Sequence, residues 1–385
     1  MPPFRGGITA RLSRLLLELA SRGHHIRAAD PISPKSQMAA GPDWFAAAHP
    51  NIALVRDLGP GYDTAGVHSF GSDKDRRLQK TAVQQCLSAW WRERPFDLVV
   101  LSAEFFVWGV PKFCRQRGIA FVVFGAGMIE AVAGGDLTGP VVEDILVLMK
   151  RADCVIACAR FMGRRFVEFG FERVTAIPNG VDVELFQPGP RDRRLAACLG
   201  VRDDDVVFLH ASHFHPVKRP RDIIESASLA LERNPNLLYL MVGGGSDQLR
   251  AELEALCDRR RIADRFRFPG WLPHDQMRDL YQLADVVLMP SQSEGLSNVF
   301  LEAQASGRVL LASDIPGARE VVEDGKTGVL FPRGNVAALA EKTLSLAADP
   351  ALRQGIGRRA RNYVARHHRL DDVITGYENV FRGAV

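Results

Sequence analysis

Several things are scarce in this sequence, and each scarcity excludes something. Its 385 residues hold six cysteines (86, 114, 154, 158, 198 and 257), none of them in a Cys-x-x-Cys pair. That spacing excludes a zinc ribbon or a dithiol redox centre. Cys154 and Cys158 fall inside an apolar run, so they read as buried free thiols in a reducing compartment. No apolar stretch reaches the roughly 20 residues needed to cross a bilayer. The N-terminus enters an amphipathic pattern directly, without the signature of a signal peptide. A cytoplasmic protein is expected. There is no short-period repeat and no low-complexity segment. The net charge is only +4. Arginines do cluster (76–77, 164–165, 191–194, 259–261 and 358–361), but between apolar runs and without interleaved aromatics, which argues against a nucleic-acid partner. They read as solvated helix faces, a minority of them suited to peripheral contact with an anionic membrane.

What is present is an alternation of strands and helices. With 46% hydrophobic and 24% charged residues, the chain has an ordinary globular composition, and its length suits two domains. In the first half, apolar runs of strand length stand at 25–29, 97–101, 119–124, 154–157 and 174–177. The second half has them at 206–210, 237–242, 265–268, 286–289 and 309–312. Near-continuous apolar strands are covered on both faces, which implies parallel sheets with helices on each side. The expectation is therefore an α/β protein of two doubly wound, Rossmann-like domains facing a cleft. Residues 1–180 would form the first domain, 181–365 the second, and 366–385 a terminal helix packing back towards the first. A Pro/Gly-rich stretch, 178–190, would connect the domains. Ile8, Leu12, Leu15, Leu16 and Leu19 share one helical stripe ahead of Gly23, preceded by the loop-like Pro2-Pro-Phe-Arg-Gly6-Gly7. A strand is missing before that loop, so either the native start codon is expected to lie upstream or the chain is expected to be truncated.

The richest stretch is Ser293-Glu294-Gly295-Leu296-Ser297-Asn298-Val299-Phe300-Leu301-Glu302. It follows the apolar run 285–290 and leads into a helix ending at Gly307. Alone, Glu294 suits a helix cap and Glu302 a solvated helix residue. Their position beyond a strand's carboxyl end, where open α/β sheets bind ligands, favours a site. Unpaired N–H groups at the helix start suit a diphosphate, and carboxylates accept from ribose or sugar hydroxyls. Lys218 follows the strand ending at His210 and reads equally as an exposed lysine or as a point charge for that diphosphate. His210, His213 and His215 lack a local carboxylate or cysteine, so no metal is expected there. Gly243-Gly-Gly245 lacks the dinucleotide spacing and reads as a tight turn beside the nucleotide. Phe268-Pro-Gly-Trp271 suits either a base cradle or core packing.

Gly6-Gly7, Ser21-Arg-Gly-His-His25, Ile177-Pro-Asn-Gly-Val-Asp182, Pro216-Val-Lys218, Gly243–Gly245, Phe268-Pro-Gly270, Pro290 to Glu302 and Gly325-x-x-Gly328 together resemble the GT-B glycosyltransferases of the family-4 type. The resemblance spans nearly the whole chain and is strongest in the last third. It implies a retaining, cofactor-free and metal-independent transfer of a sugar from a nucleotide-diphosphate sugar to a glycan or lipid-linked acceptor, in polysaccharide or glycolipid assembly. It also implies that Glu294 contacts the reacting sugar, Glu302 the ribose, and Lys218 the leaving diphosphate. Gly6, Gly7, His213, Gly295, Leu296, Ser297 and Asn298 would complete the donor site. Two departures stand out. His213 occupies the position of a family arginine, and neither 103–105 nor 121–127 supplies the histidines usual near the acceptor. A nucleotide-sugar epimerase of the same fold and a catalytically silent partner protein are the alternatives.

Overall fold

A computed structural model describes residues 15–29, 51–55, 73–101, 107–125, 127–135, 137–272 and 276–385. Gly6, Gly7 and the expected missing first strand lie outside the described residues, as do residues 103–105.

The chain divides into two compact units, one of residues 1–178 with 374–385 and the other of residues 179–373. In the first unit, β1 (Ile26–Ala29) and β2 (Ile52–Val55) form a two-stranded parallel sheet. A second parallel sheet runs in sequence order through β3 (Leu98–Leu101), β4 (Ala120–Gly125), β5 (Cys154–Ala157) and β6 (Val174–Ala176). Every residue of β4 and β5 is buried, as expected of central parallel strands covered on both faces. The terminal helix Leu370–Ala384 contributes Tyr377, whose ring meets Phe124 of β4 edge-on at 5.2 Å. The next residue, Glu378, accepts from Arg22 Nη1 and Arg382 Nη2 at 3.0 and 2.8 Å, and pairs with His24 Nε2 at 3.0 Å.

The second unit has one six-stranded, all-parallel sheet in the order β12–β11–β10–β7–β8–β9. Its strands are β7 (Val206–Ala211), β8 (Leu237–Val242), β9 (Phe266–Gly270), β10 (Val286–Met289), β11 (Val309–Ser313) and β12 (Val329–Phe331). From β7 the chain winds outward through β8 to β9. It then returns to the other side of β7 and winds outward again from β10 to β12. The winding direction reverses between β7 and β10, and the ground beyond the carboxyl ends of such strands is where open α/β sheets bind ligands. Apolar side chains of the helix Pro220–Leu231, among them Ile223 and Ile224, pack with Phe208, Tyr239, Leu288 and Leu311 in the core of this unit.

Arginines expected on solvated faces partly do something else. Arg361 donates to the carbonyls of Phe186 and Ala305, and Arg191 pairs with Asp285 at 2.5 Å. Both are half-buried ties between segments, a use that a run of arginines in the sequence does not reveal. All six cysteines are free thiols, and Cys154 and Cys158 are buried.

Candidate functional site at the winding reversal

The loops after β7 and β10 meet at the reversal. After β7, Ser212–His215 leads into a short 3-10 turn, Pro216–Lys218, whose start is capped by His215 Nδ1 accepting from the Val217 amide at 3.2 Å. The Gln292 amide, in the loop after β10, donates to the Val217 carbonyl at 2.7 Å. This backbone bond locks the two loops together and sets the side chains beyond it. Lys218 Nζ lies 2.5 Å from Glu294 Oε1, and the Ser291 hydroxyl donates to the same oxygen at 2.7 Å. The Glu294 side chain is only 9% exposed and that of Lys218 23%, so the pair is drier than a surface ion pair yet open on one side. A buried carboxylate needs such donors to offset its lost hydration. An ammonium has three N–H donors and a carboxylate about four acceptor directions, so the pairing leaves both groups with capacity for a ligand.

Glu294 leads into the helix Asn298–Ala305, for which Ser297 is the N-cap residue without a side-chain capping bond. Its first N–H groups have no helical acceptor, which concentrates partial positive charge there. Leu296 is buried beneath the turn, and its carbonyl accepts from Asn179 Nδ2 at 2.6 Å. Asn179 is itself buried. It also lies 3.4 Å from Asn298 Oδ1, and its carbonyl is bonded to Nδ1 of the buried His368 at 3.0 Å. Glu302 falls on the second turn of the same helix, 7% exposed, with Oε2 accepting from the Tyr281 hydroxyl at 2.7 Å.

The neighbouring loops approach closely. Gly243, at φ +141°, directly follows β8, and a Cβ there would lie 1.7 Å from the Ser212 carbonyl oxygen. The Phe214 amide donates to the Gly244 carbonyl at 2.6 Å, so the glycine turn packs directly on the loop carrying Lys218. On the other side, a Cβ on Gly317 would lie 1.9 Å from the Gly295 oxygen and 2.5 Å from that of Glu294. Only glycine lets the short helix Pro316–Arg319 after β11 come this close to the turn.

His210, the fifth residue of β7, is completely enclosed. Its Nδ1 bonds the Leu288 carbonyl at 2.9 Å and its Nε2 the Ser212 hydroxyl at 2.7 Å. Burial, aided by the nearby Lys218 charge, pushes its pKa down to about 4. It is a neutral tie between β7, β10 and the Ser212 loop.

The structure thus brings together Lys218, Glu294, Gly295, Leu296, Ser297, Asn298 and Glu302. His213 lies exposed in the loop after β7. The sequence reading missed Asn179, His210, Tyr281, Ser291, Gly317 and His368 as parts of the site. Asn179 was visible within the Ile177–Asp182 motif, and Ser291 stands three residues before Glu294. Tyr281, Gly317 and His368 carry no local signal, because each acts through a partner from another segment. No group of His, Cys, Asp or Glu among the described residues is arranged to hold a metal ion.

Comparison with known proteins fits this geometry. The family model for glycosyl transferases group 1 matches residues 193–363, and that for glycosyltransferase family 4 matches residues 5–185. A D-inositol 3-phosphate glycosyltransferase of Streptomyces avermitilis is 30% identical over 348 residues, covering 84% of this chain and 73% of that protein. Its counterpart in Kribbella flavida is 35% identical over 195 residues, 49% of this chain; there the chain spans about half of the relative's length, 46%. Among solved structures, Anabaena HepE in complex with UDP and glucose aligns with a TM-score of 0.80 at 18% identity, over 100% of this chain and 98% of that one. Sucrose-phosphate synthase from Thermosynechococcus elongatus aligns with a TM-score of 0.79 at 22% identity, over 98% and 93%. These likenesses establish the fold as GT-B. With a relative matched across most of both chains and the two family models matching successive stretches of the chain, this chain belongs to glycosyltransferase family 4.

Proposed function

We propose that this glycosyltransferase moves a hexosyl group from a nucleoside diphosphate sugar to a hydroxyl of a glycan or lipid-linked acceptor, with retention of anomeric configuration and without a metal ion. The observation that carries the reading is the meeting of Lys218 and Glu294 where the sheet reverses its winding, 2.5 Å apart and largely shielded from water. Cleavage of the bond between sugar C1 and the diphosphate oxygen leaves negative charge on the diphosphate and oxocarbenium character on the sugar. Lys218 and the first N–H groups of the helix Asn298–Ala305 face the former charge. Glu294 accepts from sugar hydroxyls and stabilises the latter. The acceptor oxygen bonds to C1 on the face that the diphosphate leaves, and its proton passes to the departing phosphate oxygen. Preorganised donors of this kind are each worth about 3 kcal/mol in the transition state.

Structural neighbours crystallised with UDP and UDP-glucose make UDP-glucose the first donor to try. The phosphorylated polyol named for the curated relatives, D-inositol 3-phosphate, belongs in the acceptor panel beside glycans and lipid-linked sugars. No helix among the described residues is long and apolar enough to cross a membrane, and we place the protein in the cytoplasm with its acceptor at or near the inner membrane surface. The test is to incubate the protein with a panel of nucleotide sugars and acceptors, then read released nucleotide and the anomeric configuration of the product by NMR. An acceptor-dependent product of retained configuration is expected. An inverted product refutes retention. Sugar isomerisation without acceptor refutes transfer and makes the chain an epimerase.

A further inference from the structure

We infer that Tyr281 is a positioning residue for the donor ribose, fixing Glu302 so that its carboxylate separates ribonucleoside from 2′-deoxyribonucleoside diphosphates. This deepens the proposed function and rests on its assignment of Glu302 to the ribose. Tyr281 lies on the helix Met277–Leu283, just ahead of β10, and has no exposed surface. Its ring meets Phe186 edge-on at 5.7 Å with the planes 77° apart, so the hydroxyl sits at a point that packing determines. That hydroxyl donates to Glu302 Oε2 at 2.7 Å. Burial and the adjacent carboxylate hold the phenol far above its ordinary pKa, so it stays a donor at any working pH.

A glutamate carboxylate turns freely about its last torsion, which is broad and roughly two-fold. Clamping one oxygen against a rigid phenol fixes the direction of the others' lone pairs. A ribose 2′,3′-diol presents two donors, which the carboxylate accepts well only when its oxygens are aimed at them. A site built to accept from hydroxyls rejects analogues lacking one, because its buried acceptor is then left unmatched. A purely structural bond would satisfy the buried carboxylate equally well, but it would not affect that discrimination.

The test needs no acceptor. Binding of UDP and of 2′-deoxy-UDP is measured by calorimetry, or of the matching pair for whichever base binds best, to wild type, Tyr281→Phe, Glu302→Gln and the double variant. Phe keeps the ring packing, and a thermal melt checks folding. Wild type is expected to prefer the ribonucleotide about tenfold or more, a preference that Glu302→Gln abolishes. Tyr281→Phe is expected to lower it at least threefold while affinity for the deoxy analogue stays near wild type, and the double variant to match Glu302→Gln. If Tyr281→Phe keeps the wild-type preference while Glu302→Gln loses it, Tyr281 is only structural and the inference is overturned. If Glu302→Gln keeps the preference, the ribose assignment fails, and this inference fails with it. Absence of binding by wild type to every nucleoside diphosphate tried overturns the donor reading as a whole.

Discussion

Replacing Gly317 by alanine tests whether the turn carrying Glu294 must sit where it does. The new methyl would fall 1.9 Å from the Gly295 carbonyl oxygen and 2.5 Å from that of Glu294, both backbone atoms that cannot rotate aside. Ordinary contact distances are about 3.5 Å, so the turn or the short helix after β11 must shift on the order of 1 Å or more. Overpacking of this kind costs about 1–3 kcal/mol. In a unit of this size that lowers Tm by roughly 2–4 °C per kcal/mol, leaving the protein folded at 25 °C. The kinetic effect is the larger one. A shift of about 1 Å in a catalytic group is worth roughly a hundredfold in rate. The assay pairs initial rates of sugar transfer with a calorimetric scan of the same preparation. The expected result is a drop in kcat/KM of about two orders of magnitude with a transition lowered by several degrees. Wild-type kcat/KM and wild-type Tm together would refute the close approach.

Two further outcomes follow from the buried polar groups. His210 has its pKa lowered to about 4 from the ordinary 6.5, so between those values the unfolded chain binds a proton that the folded chain does not. Stability is therefore at its full value above pH 6.5 and falls as pH drops towards 4, by roughly 3 kcal/mol from this group. Urea titrations at pH 7 and pH 4.5 read the loss, and a His210→Gln variant with an equally steep pH dependence would contradict it. Asn179→Asp replaces the amide donor to the Leu296 carbonyl by an acceptor, and with 2.6 Å between the atoms this sets oxygen against oxygen. A loss of about 1–3 kcal/mol in stability and a raised donor KM are expected, and an unchanged KM would sever Asn179 from the site.

The strands were legible where the apolar runs were long. The runs at 154–157, 237–242 and 286–289 coincide with β5, β8 and β10, because a strand buried on both faces has no polar alternation to blur its ends. The sequence reading missed β2 and β12. β12 has only three residues and follows the turn at Gly325–Gly328, so it offers too short a run for periodicity to register. Of the site, the order of residues from Glu294 to Glu302 could be read directly, since one turn and one helix hold them. That Lys218 would meet Glu294 could not, because 76 residues separate them and only the pairing of β10 with β7 makes them neighbours. Gly317 and Tyr281 were hidden for the same reason. Their importance lies in what another segment places against them.

In the proposed reaction Lys218 and Glu294 divide the donor between them, the lysine taking the diphosphate and the glutamate the sugar. Equilibrium binding of UDP and of UDP-glucose to wild type, Lys218→Met and Glu294→Gln tests it most directly. Lys218→Met is predicted to weaken both ligands by about tenfold or more, a loss suited to one charge-assisted contact. Glu294→Gln is predicted to weaken UDP-glucose while leaving UDP within about twofold of wild type. Wild-type affinity of both variants for both ligands would contradict the claim.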